Sequence, residues 1–397
     1  MRTRCRVCGN SFFKEPLLRY ENMPEAAQHL PDSTSLANDK GVDLEVCQCS
    51  GCGLVQLSNE PVPYYRDVIR ATAFSEEMKA FRMEQFTDFV HKYSLQGKKV
   101  LEIGSGKGES ISLMGACGTD AYGVEHAAES VRFCIQSGLN VSQHFVEADK
   151  ELLEHAPFDA FFILNFLEHL PDLNSVLYGI YQNLDDQGVG LVEVPNFNMV
   201  LENKLFSEFI VDHIYYFTQD TLITTLNRNG FEVLECNAVW HDYIISAVVK
   251  KRRPLDVTGC AEFRLKLTDE LQRYISQFGQ KRVAVWGAGH QALTVLALAD
   301  LTDKVKYVID SAPFKQGKFT PATHIPIVSP DTLLVDPVDA VIVMAASFSD
   351  EVVRILRMDF KYIINISILR EYGLEVTRPV CSSCAQEPKK DGFIVNC

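Results

Sequence analysis

Four cysteines near the start of the chain are spaced for metal ligation, Cys5-x-x-Cys8 and Cys49-x-x-Cys52. Two thiolates separated by two residues can turn toward one ion, and two such knuckles supply the four sulfur ligands of a closed tetrahedral zinc site. With no open coordination position such a zinc is structural, and its removal is expected to melt the segment it staples. Cys47 lies close by, out of register with the pair. A second chemical feature is Glu102-Ile-Gly-Ser-Gly-Lys-Gly108, of the form E-x-G-x-G-x-G, at the end of the apolar run KKVLEIG. Gly104, Ser105, Gly106 and Gly108 let backbone approach a ligand closely, a geometry that serves a dinucleotide or S-adenosylmethionine. Glu102 stands two residues before the first glycine, and Glu125 closes the next apolar run, AYGVE, where a carboxylate accepts hydrogen bonds from ribose hydroxyls. These two acids favour S-adenosylmethionine over a nicotinamide dinucleotide. Asp149, beyond the third strand, is placed either for the adenine amino group or for a helix cap. Asn165 ends the fourth apolar run, FDAFFILN, and completes the expected cofactor set; Glu168 and His169 follow it.

These residues need a scaffold that brings strand ends together. Buried strands are expected over 99–103, 121–125, 141–147, 158–165, 189–194, 231–239 and 242–250, with helical periodicity over 78–93 and between the strands. That alternation predicts a doubly wound α/β sheet, here a class I Rossmann-like methyltransferase domain over 63–252. A small zinc-binding domain over 1–62 precedes it. The charged, proline-containing stretch KKRRPLDVTG reads as a linker. A helix over 261–278 and strands at 306–309, 340–345 and 362–365 then build a second Rossmann-like domain over 253–377, whose turn VWGAGHQ repeats the strand–glycine–helix opening. A polar tail over 378–397 carries Cys381, Cys384 and Cys397, to which no role is assigned. The chain has 397 residues, 47% hydrophobic and 23% charged, and shows no apolar run of the ~20 residues a membrane span needs. No secretory leader is visible, so a cytoplasmic protein is expected. A net charge of −14 opposes nucleic-acid binding, which relies on clustered Lys and Arg, and points to a small-molecule partner.

The order of these motifs, with Cys52-Gly-Leu-Val-Gln-Leu, NFLEHLPDL, DHIYYFT, VWGAGHQALTVLALA and VIDSAPFKQGKFTPATHIPI, resembles the three-domain sugar C-methyltransferase family over residues 5 to about 370. The resemblance implies S-adenosylmethionine, structural zinc and an acceptor that is a nucleotide-linked 4-keto-deoxysugar, methylated at C3. The family's active-site run, Tyr-His-Glu-His-x-x-Tyr-Phe, falls on Ile210, Val211, Asp212, His213, Tyr216 and Phe217, so the leading tyrosine and histidine are absent and the acid–histidine pair is kept. Arg70 stands near a position where the family has tyrosine. On this mapping His213 is the base, oriented by Asp212, and Tyr216 or His169 donates to the enolate oxygen. An imidazole near its ordinary pKa of ~6.5 suits that task. The second Rossmann-like domain would hold the nucleotide-sugar, through Gly287, Gly289 and His290 at its turn and Asp310 at the next strand end. Lys315 and Gln316 are placed for phosphates, with a surface role for Lys315 the alternative, and His324 for the acceptor pocket. Two other classes stay open: an O- or N-methyltransferase, which needs the base but no ketone, and a non-catalytic scaffold that keeps the fold.

Overall fold

The computed structural model describes residues 2–26, 30–67, 75–148, 151–363 and 365–377. Asp149, Arg70, Cys381, Cys384 and Cys397 lie outside them. The chain divides into two compact units, Met1–Pro254 and Leu255–Cys397.

In the first unit the order is β1 (Leu18–Met23), β2 (Val42–Gln48), β3 (Val55–Leu57), α1 (Glu76–Lys92), β4 (Lys99–Ile103), α2 (Glu109–Ala116), β5 (Asp120–Glu125), α3 (Ala128–Gln136), β6 (Asn140–Gln143), β7 (Phe158–Leu164), α4 (Leu173–Asn183), β8 (Leu184–Pro195), α5 (Phe197–Asn203), β9 (Tyr215–Tyr216), α6 (Gln219–Arg228), β10 (Phe231–Val239) and β11 (Ile244–Lys251). Seven strands form one sheet in the order β10-β11-β8-β7-β4-β5-β6. The five from β8 to β6 are parallel, while β11 runs antiparallel to β8 and β10 antiparallel to β11. Helices cover both faces of a parallel sheet, so its strands read as nearly unbroken apolar runs, and β4 and β7 are buried along almost their whole length. The strand order reverses between β4 and β7, the place where open α/β sheets bind ligands at their carboxyl ends. This is the class I Rossmann-like methyltransferase fold.

Helix α1 begins with good chemistry: the Ser75 side chain accepts from the Met78 N–H, and Glu76 and Glu77 occupy the positive end of the helix dipole. It docks through Arg82, which meets Glu193 of β8 at 2.5 Å, both side chains being almost wholly buried. Gln85 donates to the same carboxylate.

The cysteine-bearing segment is less separate than its composition suggests. Its strands form a four-stranded antiparallel sheet, β1-β2-β3-β9, whose last member comes from far along the chain, beyond α5.

The second unit comprises α7 (Thr258–Ile275), β12 (Val283–Trp286), α8 (His290–Leu298), β13 (Val305–Ile309), β14 (Ile327–Val328), α9 (Thr332–Val335), β15 (Ala340–Val343), α10 (Ser349–Asp359), β16 (Asn365–Arg370) and β17 (Gly373–Thr377). Its sheet order is β14-β13-β12-β15-β16-β17, parallel except for β17. A strand expected at 362–365 lies further on: Ile363 closes a turn on the Phe360 carbonyl, and pairing starts at Asn365 opposite Ala340. No helix among the described residues is long and apolar enough to cross a membrane.

Candidate active site

The glycine loop sits at the carboxyl end of β4, where the sheet order reverses. Gly104, Gly106 and Gly108 all have left-handed φ, +76°, +54° and +89°. A methyl group on Gly104 would lie 3.1 Å from the Phe166 ring, and one on Gly108 would lie 2.3 Å from Leu139. The left-handed φ favours glycine at all three positions, and at Gly104 a side chain would also press on the Phe166 ring. Glu125, at the end of β5, accepts the Gly106 N–H at 2.8 Å through one carboxylate oxygen and the Ala127 N–H at 2.9 Å through the other. It thus fixes the loop, and each oxygen keeps a lone pair for a ribose hydroxyl. Ser105 is buried, its hydroxyl directed at the Val124 carbonyl, and Glu102 is buried at the end of β4. A cleft of about 480 Å³, open to solvent, is lined here by Gly104, Gly106, Glu125, His126, Phe145 and Phe166 among others.

Two lining segments were not anticipated. The strand expected over 141–147 stops at Gln143 because His144, Phe145 and Val146 leave the sheet to line the cleft. Arg66 enters from the segment after β3, its guanidinium 4.6 Å from the Phe145 ring centroid and 3.3 Å from Glu147. Asn165 sits just past β7 with φ +47°, its N–H bonded to the Glu193 carbonyl; it is not among the residues lining the cleft.

Past Phe166 the chain turns through Glu168 and His169. The His169 ring lies 6.4 Å from Phe166 and 4.7 Å from His213, edge to face, so the two imidazoles form one wall beyond the cleft. One nitrogen each from His169 and His213 and one oxygen of Glu168 lie within 4.8 Å of one another. Burial, with His169 alongside, pushes His213 down to about 3, so its imidazole is neutral at pH 7, not poised near 6.5 as expected. Burial also pushes the Glu168 carboxyl up to about 8, which leaves it protonated at neutral pH.

The expected partnerships are rearranged. His169 Nδ1 lies 2.9 Å from the backbone carbonyl of Asp212, so Asp212 is seen to orient His169 through its main chain. A carbonyl only accepts; Nδ1 therefore carries the hydrogen, and in the neutral ring Nε2 is bare. His169 is thus set to receive a proton, and it is not the enolate donor expected. Tyr216 is corrected too. Its hydroxyl accepts the Ile210 N–H at 3.1 Å and donates to the Ile210 carbonyl at 3.3 Å, while its ring packs on Phe197 and Phe209. It closes a turn in a core and has no hydrogen left for a ligand.

The four cysteines meet. Their sulfurs all lie within 4.8 Å of one another, with Cys5–Cys52 at 3.7 Å and Cys8–Cys49 at 3.3 Å. These separations exceed a disulfide bond and approach the ~3.8 Å edge of a tetrahedron with ~2.3 Å zinc–sulfur bonds. Within each knuckle two backbone N–H groups point at the first sulfur, Val7 and Cys8 at Cys5, Gly51 and Cys52 at Cys49. Such donors stabilise thiolates, and Gly9 and Gly53 turn each knuckle with left-handed φ. The donor set fits zinc. Cys47 is buried outside the cluster.

In the second unit, Gly287 has φ +117° and a methyl there would meet the Met344 carbonyl at 2.5 Å. Asp310 accepts from the Ala288 and Ala312 N–H groups and from Lys315 Nζ at 2.8 Å, and Gln316 donates to the Asp310 carbonyl. Lys315 and Gln316, expected at phosphates, are thereby tied to Asp310. Gly289, His290 and His324 are exposed.

Two regions of the chain match families of known proteins. A methyltransferase-domain model matches residues 75–236, and a model described as the C-methyltransferase C-terminal domain matches residues 259–363. The chain is an S-adenosylmethionine-dependent methyltransferase. It is 24% identical over 386 residues to the C-methyltransferase NovU of Streptomyces niveus, covering 88% of this chain and 91% of the relative. A ubiquinone biosynthesis O-methyltransferase of Bordetella avium is 34% identical over 89 residues, 21% of this chain and 37% of the relative. Among solved structures, an S-adenosylmethionine-dependent methyltransferase from Clostridium acetobutylicum matches 48% of this methyltransferase and 96% of its own chain, at 13% identity and a TM-score of 0.37.

Proposed function

We propose that this methyltransferase adds a methyl group to carbon in a nucleotide-linked keto-deoxysugar, next to the carbonyl, in the cytoplasm, with His213 as base and a structural zinc on Cys5, Cys8, Cys49 and Cys52. The observation that carries the reading is the His169–His213 pair, His169 buried and His213 partly so, just past Phe166, which lines the donor cleft. The donor supplies a methyl group already activated by its sulfonium. The protein's part is to orient the acceptor and take one proton. Glu125 and the glycine loop hold the donor, and Phe166 separates it from the histidine wall. His213, neutral and partly shielded from water, takes the proton that the neighbouring carbonyl acidifies. A base held near 3 in the free protein is weak, and the negative charge growing on the bound acceptor raises it as the proton arrives. The bare Nε2 of His169 accepts that proton onward. Glu168, protonated at neutral pH, replaces Tyr216 and His169 as donor to the enolate oxygen.

The test is the position of the new methyl group in the product. Incubation with a nucleoside-diphosphate 4-keto-6-deoxysugar and labelled donor is expected to give a carbon-bound methyl next to the carbonyl, read by NMR. A methyl on oxygen or nitrogen would establish the second reading. That reading is favoured by Ile210 and Val211, which stand where a C-methyltransferase run has tyrosine and histidine.

A further inference from the structure

The cysteine cluster and the histidine wall are joined by a series of hydrogen bonds linked through neighbouring residues of the backbone. Gln56 of β3 is fully buried. Its side-chain N–H donates to the Cys5 sulfur at 3.2 Å, and its side-chain oxygen accepts the Arg6 N–H at 3.0 Å, so both ends of the amide are committed to the first knuckle. The backbone of Gln56 pairs with Tyr215 of β9. Next along β3, the Leu57 N–H donates to the Ile214 carbonyl at 2.9 Å, and the Ile214 N–H donates to the Glu168 carbonyl at 2.8 Å. His169 then bonds the Asp212 carbonyl, and His213 stands between Asp212 and Ile214. A second clamp holds the same knuckle, Asn174 of α4 donating to the Val7 carbonyl at 2.9 Å. A cluster that served only to fold its own segment would have no need to share a sheet with residues 215–216.

We propose that Gln56 is a positioning residue that couples the cysteine-bound metal to the His169–His213 pair, so that the metal sets the geometry of the acceptor wall as well as folding its own segment. The catalytic part of this rests on the histidine reading above; the coupling itself does not. The physical reason is that a buried amide bonded to a metal thiolate has few alternative positions, and it transmits that constraint through β3 to a two-stranded contact too short to hold itself. The donor cleft is lined mainly by residues at and just past the carboxyl ends of β4, β5, β6 and β7, with Arg66 and Val176 of α4 besides; Glu125 and the glycine loop lie outside the β3–β9 contact, so donor binding should feel the change much less.

The experiment compares the intact protein with Gln56→Met, which keeps length and loses the amide. Four quantities are read: kcat, donor affinity by calorimetry with S-adenosylmethionine, the thiolate-to-metal absorption of the cobalt(II)-loaded protein, and the imidazole resonances of His169 and His213. The expected result is a fall in kcat of about 10- to 100-fold, the usual cost of removing such an outer partner. It is accompanied by a shifted thiolate band, shifted imidazole resonances and unchanged donor affinity. Chelating the metal from the wild-type protein should reproduce the loss of kcat and the imidazole shifts with donor binding retained, and it serves as the test if Gln56→Met does not fold. Unmoved imidazole resonances, or donor binding lost in step with turnover, would overturn the proposal. If the resonances move while His213→Ala keeps full turnover, the coupling stands and the catalytic assignment falls.

Discussion

At the scale of single residues, Glu125 and Glu168 show how burial and hydrogen bonding divide labour among carboxylates. The place of Glu125 beside the glycine loop was legible in the sequence, since it ends the strand that follows the loop, and it stands where it could accept from a ribose hydroxyl. That it also ties the loop to α3 through Gly106 and Ala127 was not, because this depends on the loop folding back over 19 residues. Glu125→Ala should therefore weaken donor binding by about 2–3 kcal/mol, roughly 30- to 150-fold in Kd, measurable by calorimetry, with little effect on the cobalt spectrum of the cysteine cluster. Glu168 was visible only as the neighbour of His169, because its chemistry comes from desolvation that no local pattern records. Its carboxyl sits near 8 when folded against an ordinary 4.5. A raised carboxyl pKa favours the folded state fully below the unfolded value, and that contribution is lost as pH climbs from about 4.5 to about 8. Thermal midpoints should accordingly decline across this window, and Glu168→Gln should flatten the decline. On the donor role proposed above, kcat should also fall above pH 8, and the variant should lose that limb. A wild-type midpoint that is level from pH 5 to 8 would show the carboxyl to be ionised in the fold.

At the scale of elements, what could be read from local sequence was what local sequence determines. The bounds of β4, a nearly continuous apolar run, and of β10, which mixes apolar with charged residues, coincide with the expected ones. The four-stranded sheet escaped notice because β9 is two residues long and its partner β3 lies across the chain. The same sheet explains why Tyr216, which the motif offered as a catalytic donor, is a core residue: strand pairing turns its ring onto Phe197 and Phe209. Docking of α1 was equally hidden, as it depends on Arg82 finding Glu193, residues that no pattern links. With both side chains at least 97% buried, Arg82→Met leaves an uncompensated carboxylate and should destabilise the first unit by about 3–5 kcal/mol, seen as a lower midpoint in chemical denaturation. Replacing Arg82 and Glu193 together with apolar residues should cost much less.

At the scale of the whole molecule, the α/β class, the S-adenosylmethionine chemistry and the two Rossmann-like units were all legible, since repeated strand–glycine–helix openings survive in any single sequence. The phosphate roles expected in the second unit were less so: Lys315 and Gln316 are engaged with Asp310, a pairing set by the turn after β13. On the function proposed above, the donor cleft and the histidine wall beside it serve to expose one carbon of a small acceptor to one methyl group. That claim is tested most directly without any methyl transfer. A nucleoside-diphosphate 4-keto-6-deoxysugar carrying deuterium at C3 is incubated with the protein and S-adenosylhomocysteine, and the label is followed by mass spectrometry. The account predicts washout of deuterium into water by the wild-type protein and none by His213→Ala; full retention by the wild-type protein, or equal washout by both, would contradict it.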